Sequence, residues 1–185
     1  MVKSTGILDK SLSKGKTEIN LSTFAVLFSE IVKYAQKRAE TINDIHDTLK
    51  GYGKSVGVRM LDVVNLRERG YKRETKLLPM LMFIKSTVWK SLFGKEADKL
   101  ERVTDDPSQY LLMEKEPLVN TFISLPKDKE AINCAAFVAG IIEAMLEAAN
   151  FPCVVDAHWY NGTTYVIKFE KHVIERENRL TETNR

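Results

Sequence analysis

The side chains that could do chemistry in this chain are few, and they are scattered along it. The pair Gly94-Lys95, within SLFGKEADKLE (91–101), invites a nucleotide reading. A phosphate-binding loop wants a glycine five positions before the Gly-Lys and a Ser or Thr after it. Trp89 stands at the first position, and Glu96, which would repel phosphate, at the second. The residues before the pair have a helical pattern, whereas such a loop follows a strand. A helix stop fits better, with Gly94 just past the end and Lys95 near the negative helix terminus. The charged residues that follow are expected to form a short helix. His46, His158 and His172 make no HExxH pattern and no pair with a cysteine at metal spacing, so each reads as a surface histidine. Cys134 could be a nucleophile near a helix start, where the dipole lowers a thiol pKa. Its run, NCAAFVAG, favours a small apolar filler instead. Glu143 and Glu147, four apart, could share acid–base work, but read better as the solvent-facing edge of a helix. With no G-x-S-x-G, G-x-G-x-x-G or Asp-rich calcium loop, the chain is expected not to be an enzyme and to hold no cofactor or metal.

Composition narrows the class. The 28 basic and 25 acidic residues are interleaved and leave a net charge of +3, too small an excess to argue for nucleic acid. Lys3, Lys10, Lys14 and Lys16 against Asp9 give the first residues the look of a solvated basic tail. Cys134 and Cys153 both lie in apolar runs, which suits a reducing compartment. LLPMLMFI (77–84) ends at Lys85 and the run 134–142 at Glu143, both short of the roughly 20 residues a membrane span needs. The expected organisation is a flexible basic tail over 1–19, one domain over 20–178 and a flexible tail over 179–185, in a soluble cytoplasmic protein.

The elements follow from periodicity. STFAVLFSEIVKYAQKRA places Phe24, Leu27, Phe28, Ile31 and Ala35 on one helical stripe, with Asn20 or Ser22 able to cap it. Thr41 and Asp44 approximate a capping box for a second helix, which Gly51-Tyr52-Gly53 interrupts. It resumes with Val56, Met60, Val63 and Val64 on its apolar side. Gly53 and Gly57, four apart, allow either a close helix approach or a hinge. A third helix over 73–93 tolerates Pro79 near its first turns. QYLLMEK and VNTFISLP read as strands. The helix 131–149 is apolar almost all round and is expected to pack on the sheet. At the C-terminal hairpin, a three-residue loop Tyr160-Asn161-Gly162 pairs Trp159 with Thr163. That register puts Cys153, Val155, Ala157, Trp159, Tyr165, Ile167 and Phe169 on one face. The apolar stripes of the first two helices exceed what the sheet and central helix can cover. Either a partner buries the surplus or the helices bury it against each other.

LFGKEADKLE (92–101), RETKLL (73–78), EPLVNTFISLP (116–126), NCAAFVAGIIEAML (133–146) and HWYNGTTYVIKFE (158–170) together resemble the TRAPP (transport protein particle) small subunits. The resemblance is to their Bet-three-like group, fifth-subunit type, and spans roughly residues 17–175. It implies an α/β (α+β) fold with helices packed on one face of an antiparallel sheet of about four strands. It implies a non-catalytic subunit of a vesicle-tethering complex between endoplasmic reticulum and Golgi, whose assembly acts as a Rab guanine-nucleotide exchange factor. The implied partners are other small subunits, Bet-three-like and longin-type. A Rab GTPase and the membrane would be met only through the complex, at the cis-Golgi and endoplasmic reticulum. Such subunits pair through helices, which points to Phe24, Leu27, Phe28 and Ile31 with Val56, Met60, Val63 and Val64. The group's best-known member carries an acylated cysteine near its GVRL-like helix. Here VGVRMLDVV and RERGYKRE (67–74) contain none, which excludes an acyl thioester in that region. The competing expectation is a small-molecule or haem-sensing domain of similar fold, which needs a histidine facing an apolar cavity.

Overall fold

The structure, a computed structural model, describes residues 19–69, 74–124 and 132–182. The expected tail 1–19 therefore lies outside the described residues except for Ile19. Helix α1 (Leu21–Arg38) starts where the Asn20 side chain accepts the Ser22 amide at 2.9 Å, so Asn20 is the cap. Helix α2 (Ile42–Val64) opens on a full capping box. Thr41 Oγ1 accepts the Asp44 amide at 3.2 Å, and Asp44 Oδ2 accepts the Thr41 amide at 2.8 Å.

The expected break at Gly51-Tyr52-Gly53 is absent, and α2 runs through it without interruption. The reason is tertiary. A Cβ on Gly53 would lie 1.9 Å from the Phe137 carbonyl oxygen, and one on Gly57 would lie 2.5 Å from that of Ile141. Both belong to helix α6 (Ala136–Ala148), whose own Gly140 sits against the Lys50 carbonyl, 2.1 Å from where a Cβ would be. The glycines serve a close backbone crossing, and contact with α6 outweighs their weak helix preference.

Past a π-helical turn at Asn65–Arg69, a second rod follows: α3 (Leu77–Phe83), a π-helical turn Ile84–Val88, and α4 (Trp89–Phe93). It stops at Gly94, left-handed with φ 76°, whose N–H bonds the Lys90 carbonyl at 3.0 Å. The charged residues beyond do not form the expected helix. They form β1 (Lys99–Arg102), because the Asp98 amide is taken by the Met113 carbonyl and β1 then pairs along β2 (Gln109–Glu114). Cross-strand pairing overrides local preference here. The expected strand VNTFISLP is also corrected: Pro117 starts a short helix, α5 (Leu118–Thr121). Its Asn120 side chain reaches Asn133 at 3.1 Å and Thr163 at 3.5 Å, and residues 125–126 lie outside the described residues.

β3 (Cys153–Trp159) and β4 (Thr163–Phe169) form the expected hairpin, with Trp159 opposite Thr163 and Ala157 opposite Tyr165. Gly162 supplies the positive φ, 96°, that a three-residue loop needs, and Asn161 is left-handed as well, at 48°. The sheet is antiparallel throughout, in the order β1-β2-β4-β3. Val155, Tyr165 and Ile167 are fully buried on the inner face, where α6 packs on β3 and Trp89 of α4 meets Tyr165 edge-on at 5.6 Å, while Val154, Asp156 and Lys168 look outward. Helix α2 covers α6, and α1 leans on α2. Helix α7 (Lys171–Glu182) continues past residue 178, where the domain was expected to end.

The glycine crossing gives a matched pair of substitutions. Gly53→Ala is expected to destabilise the fold by roughly 2 kcal/mol or more through overpacking. Gly51→Ala, where a Cβ meets nothing within 4 Å, should stabilise by about 0.5–1 kcal/mol. Urea denaturation of both variants checks the difference in sign.

Candidate partner interface

The stripe on α1 and the outer side of α2 enclose a groove of about 560 Å³. From α1, Phe24, Leu27, Phe28 and Ile31 line it at helical spacing, and Tyr34 extends the stripe by one turn. From α2 come Tyr52 and Val56, and Phe137 closes the floor from the start of α6. The floor is a packed aromatic set. Phe24 and Phe28 stack at 5.6 Å between ring centres, and Phe137 meets Phe28 edge-on at 5.4 Å. The rim is open, with Leu27 59% and Tyr34 47% exposed. Glu30 is the one charged side chain in the lining, and it is held by Lys33 at 2.7 Å. Walls of this kind bind apolar surface; they offer no nucleophile, base or ligand set.

Of the eight residues singled out from sequence, five (Phe24, Leu27, Phe28, Ile31 and Val56) line this groove. Met60 is half-buried one turn further along α2, Val63 is 37% exposed, and Val64 is fully buried in the core. Tyr52 was hidden by reading its glycine neighbours as a break. Phe137 comes from an element 81 residues beyond Val56 in the chain, which no local pattern connects to α1. Tyr34 could have been found by extending the stripe from Ile31.

On the other side of α2 lies a charge cluster that corrects a second expectation. Glu143 is not at a solvent edge but 4% exposed. Lys50 reaches it at 2.9 Å, Lys54 at 2.5 Å, and the Val155 amide donates to it at 2.7 Å. Lys50 also meets Asp156 at 3.2 Å. Burial pushes the Glu143 carboxyl up, but the hydrogen bonds from Lys54, Lys50 and Val155 together hold it below the ordinary glutamate value. Burial opposes the charge on Lys50, yet Glu143 and Asp156 outweigh it and raise its pKa. Glu147 is the exposed member of the pair.

The remaining reactive groups are occupied or buried. His46 is not a free surface histidine: its Nε2 accepts the Asn133 amide at 2.9 Å. Burial lowers its pKa against the opposing charge of Asp47, leaving a neutral ring with its proton on Nδ1. His158 and His172 are exposed. Cys134 and Cys153 are buried free thiols; burial pushes Cys134 up to about 11 and raises Cys153 as well. Lys95 sits 3.5 Å from the buried Glu114 carboxylate and donates to the Glu116 carbonyl at 3.1 Å, a structural role. Among the described residues no three His, Cys, Asp or Glu side chains could hold a metal ion, and no helix is long and apolar enough to cross a membrane.

With this geometry in place, comparison with known proteins gives a consistent set of relatives. The profile of the transport protein particle (TRAPP) component family matches residues 24–170. The Bos taurus protein named trafficking protein particle complex subunit 5 is 49% identical over 176 residues, covering 95% of this chain and 94% of its own length. The Homo sapiens protein of that name is 48% identical over 176 residues, with the same coverage. Trafficking protein particle complex subunit 31 of Saccharomyces cerevisiae is 25% identical over 238 aligned positions, covering 92% of this chain and 83% of its own. A solved structure of trafficking protein particle complex subunit 3 from Naegleria fowleri, covalently bound to palmitic acid, has the same fold. It superposes with a TM-score of 0.71 at 18% identity, covering 82% of this chain and 96% of its own.

The charge cluster predicts a pH signature. A carboxyl whose folded pKa is depressed contributes stability that is fully present above the unfolded value near 4.3 and is lost as pH falls through the folded one. Glu143→Gln should therefore cost about 2 kcal/mol at neutral pH, the worth of hydrogen bonds to a charged group, and measurably less at about pH 3, below the unfolded value. Urea denaturation at the two pH values checks it; an equal cost at both would contradict the assignment.

Proposed function

The chain belongs to the transport protein particle (TRAPP) component family, and on that footing we propose that it is a non-catalytic assembly subunit whose α1/α2 groove seats the helices of a Bet-three-like partner. The observation that carries this reading is the groove itself. It joins large exposed apolar side chains, Leu27 and Tyr34, to a prebuilt aromatic floor, and such a face on a small domain suits burial by another chain. The groove contains no histidine, so it lacks the ligand that a haem-sensing domain would need.

In this reading the subunit pairs with its Bet-three-like neighbour through helices and joins longin-type subunits in the larger particle. The particle acts as a Rab guanine-nucleotide exchange factor in transport between endoplasmic reticulum and Golgi. This chain contributes scaffold to that activity. The names of its relatives support the subunit role, and the buried thiols and paired lysines support a chain with no chemistry of its own. Membrane association at the cis-Golgi and endoplasmic reticulum would be peripheral and carried by the assembly.

Co-expression with a Bet-three-like small subunit, followed by size exclusion, tests the reading. A stable 1:1 complex is expected. Leu27→Asp should weaken it by at least about thirty-fold, the effect of losing a central apolar anchor. The variant's own stability should change by less than about 1 kcal/mol, because the site is open to water. Val26→Asp, 65% exposed and outside the groove lining, should leave association within about threefold of the parent. Equal effects of the two substitutions, or no complex at all, would overturn the proposal.

A further inference from the structure

The sheet order leaves β3 as an edge strand, and its free edge is closed over only part of its length. The Val155 N–H points away from β4 and is taken by Glu143 Oε2 at 2.7 Å. In an antiparallel strand, residues two apart direct their N–H and C=O groups to the same side. Ala157 and Trp159 therefore present theirs to the free edge as well. Among the described residues no side chain takes these amides as Glu143 takes that of Val155. Lys50 bridges Glu143 and Asp156, at 2.9 and 3.2 Å, and seals the edge at Val155–Asp156.

Beyond that seal the edge opens into a cleft of about 510 Å³. β3 forms one wall as far as Trp159. The first turns of α2 form the other, through Asn43, His46, Asp47 and Lys50, and Ala136 and Ala139 of α6 line it between them. A strand edge facing a helix across a cleft with small residues beneath is an arrangement that accepts an extended peptide. The unprotected edge is otherwise a liability that folds tend to cover.

We infer that this cleft is a strand-addition site for an extended segment of a partner protein, in which an apolar residue lies between two basic ones. The register sets the pattern. Ala157 belongs to the helix-facing side of β3, so a residue exchanging both hydrogen bonds with it turns its side chain toward the Ala136 and Ala139 methyl groups. Its two neighbours turn to the outer side, beside Asp156 and His158. Glu143 and Asp156 match the charges of Lys50 and Lys54, so the exposed Asp47 leaves the cleft with a net negative charge. The Trp159 indole, 53% exposed, offers a face to a guanidinium or ammonium group. The site uses turns of α2 ahead of Tyr52, and the inference does not rest on the groove reading.

Titration of the isotope-labelled full chain with acetyl-Ser-Thr-Arg-Val-Arg-Thr-Ser-amide, followed by residue-resolved amide exchange, tests it. At saturation the Ala157 and Trp159 amides should exchange at least about tenfold more slowly, with the already bonded Val155 amide unchanged. Methylating the central valine nitrogen, which removes the donor to the Ala157 carbonyl, should abolish the slowing. Replacing both arginines with glutamates, or combining Asp47→Asn with Asp156→Asn, should weaken binding roughly two- to five-fold. If the double variant does not fold, the glutamate peptide alone carries the charge test. No slowing at millimolar peptide overturns the inference, as does equal slowing by the methylated peptide or equal affinity for the glutamate peptide. Slowing without peptide that grows with protein concentration would assign the edge to a second copy of the chain and overturn it too.

Discussion

The close crossing of α2 and α6 is the contact on which the rest of the molecule depends. At Gly53, Gly57 and Gly140 a carbonyl of the facing helix occupies the space where a side chain would begin. Ordinary residues there would hold the helices apart, since packed interiors absorb even a methyl group poorly. At this separation Lys50 and Lys54 reach Glu143, so a buried carboxylate is satisfied by two cations and one backbone amide. Truncating either side of such a cluster leaves a charge in a poorly solvated place. The crossing also fixes where the outer side of α2 lies, and with it the position of Tyr52 and Val56 against α1.

Two surfaces of different chemistry follow from one helix. Turns of α2 from Tyr52 onward share an apolar groove with α1, lined by aromatic and aliphatic side chains and by a single acidic residue. Turns ahead of Tyr52 face a polar cleft beside the β3 edge. Apolar grooves gain affinity from area removed from water, while a sheet edge gains register from hydrogen bonds and selectivity from nearby charge. Under the two proposals, one chain holds two neighbours without their competing for the same groups.

Much of the architecture was legible in the residues because local and global preferences agree. The α1 stripe, the Thr41–Asp44 capping box, the Gly94 stop and the hairpin register each follow from side-chain type and spacing. The places where sequence reading failed are those where a distant element decided the outcome. Gly51-Tyr52-Gly53 reads as a break until α6 is known to lie against it. Lys99 to Arg102 read as helix until β2 supplies partners. Glu143 and Glu147 have the same spacing and chemistry, yet one is buried and the other exposed, because the lysines that receive Glu143 lie about 90 positions earlier in the chain. The groove was legible as a stripe on α1 and half a stripe on α2. Its floor, Phe137, and the cleft beside β3 exist only in three dimensions.

The central claim is that the α1/α2 groove is buried by a partner subunit in the assembled particle. A photoreactive phenylalanine analogue placed at position 27 of the full chain, irradiated within the assembled complex, tests it most directly. The account predicts efficient crosslinking to the helices of one Bet-three-like subunit, at least about tenfold above the same analogue at position 26. Equal labelling from both positions, or reaction at position 27 with water alone, would contradict it.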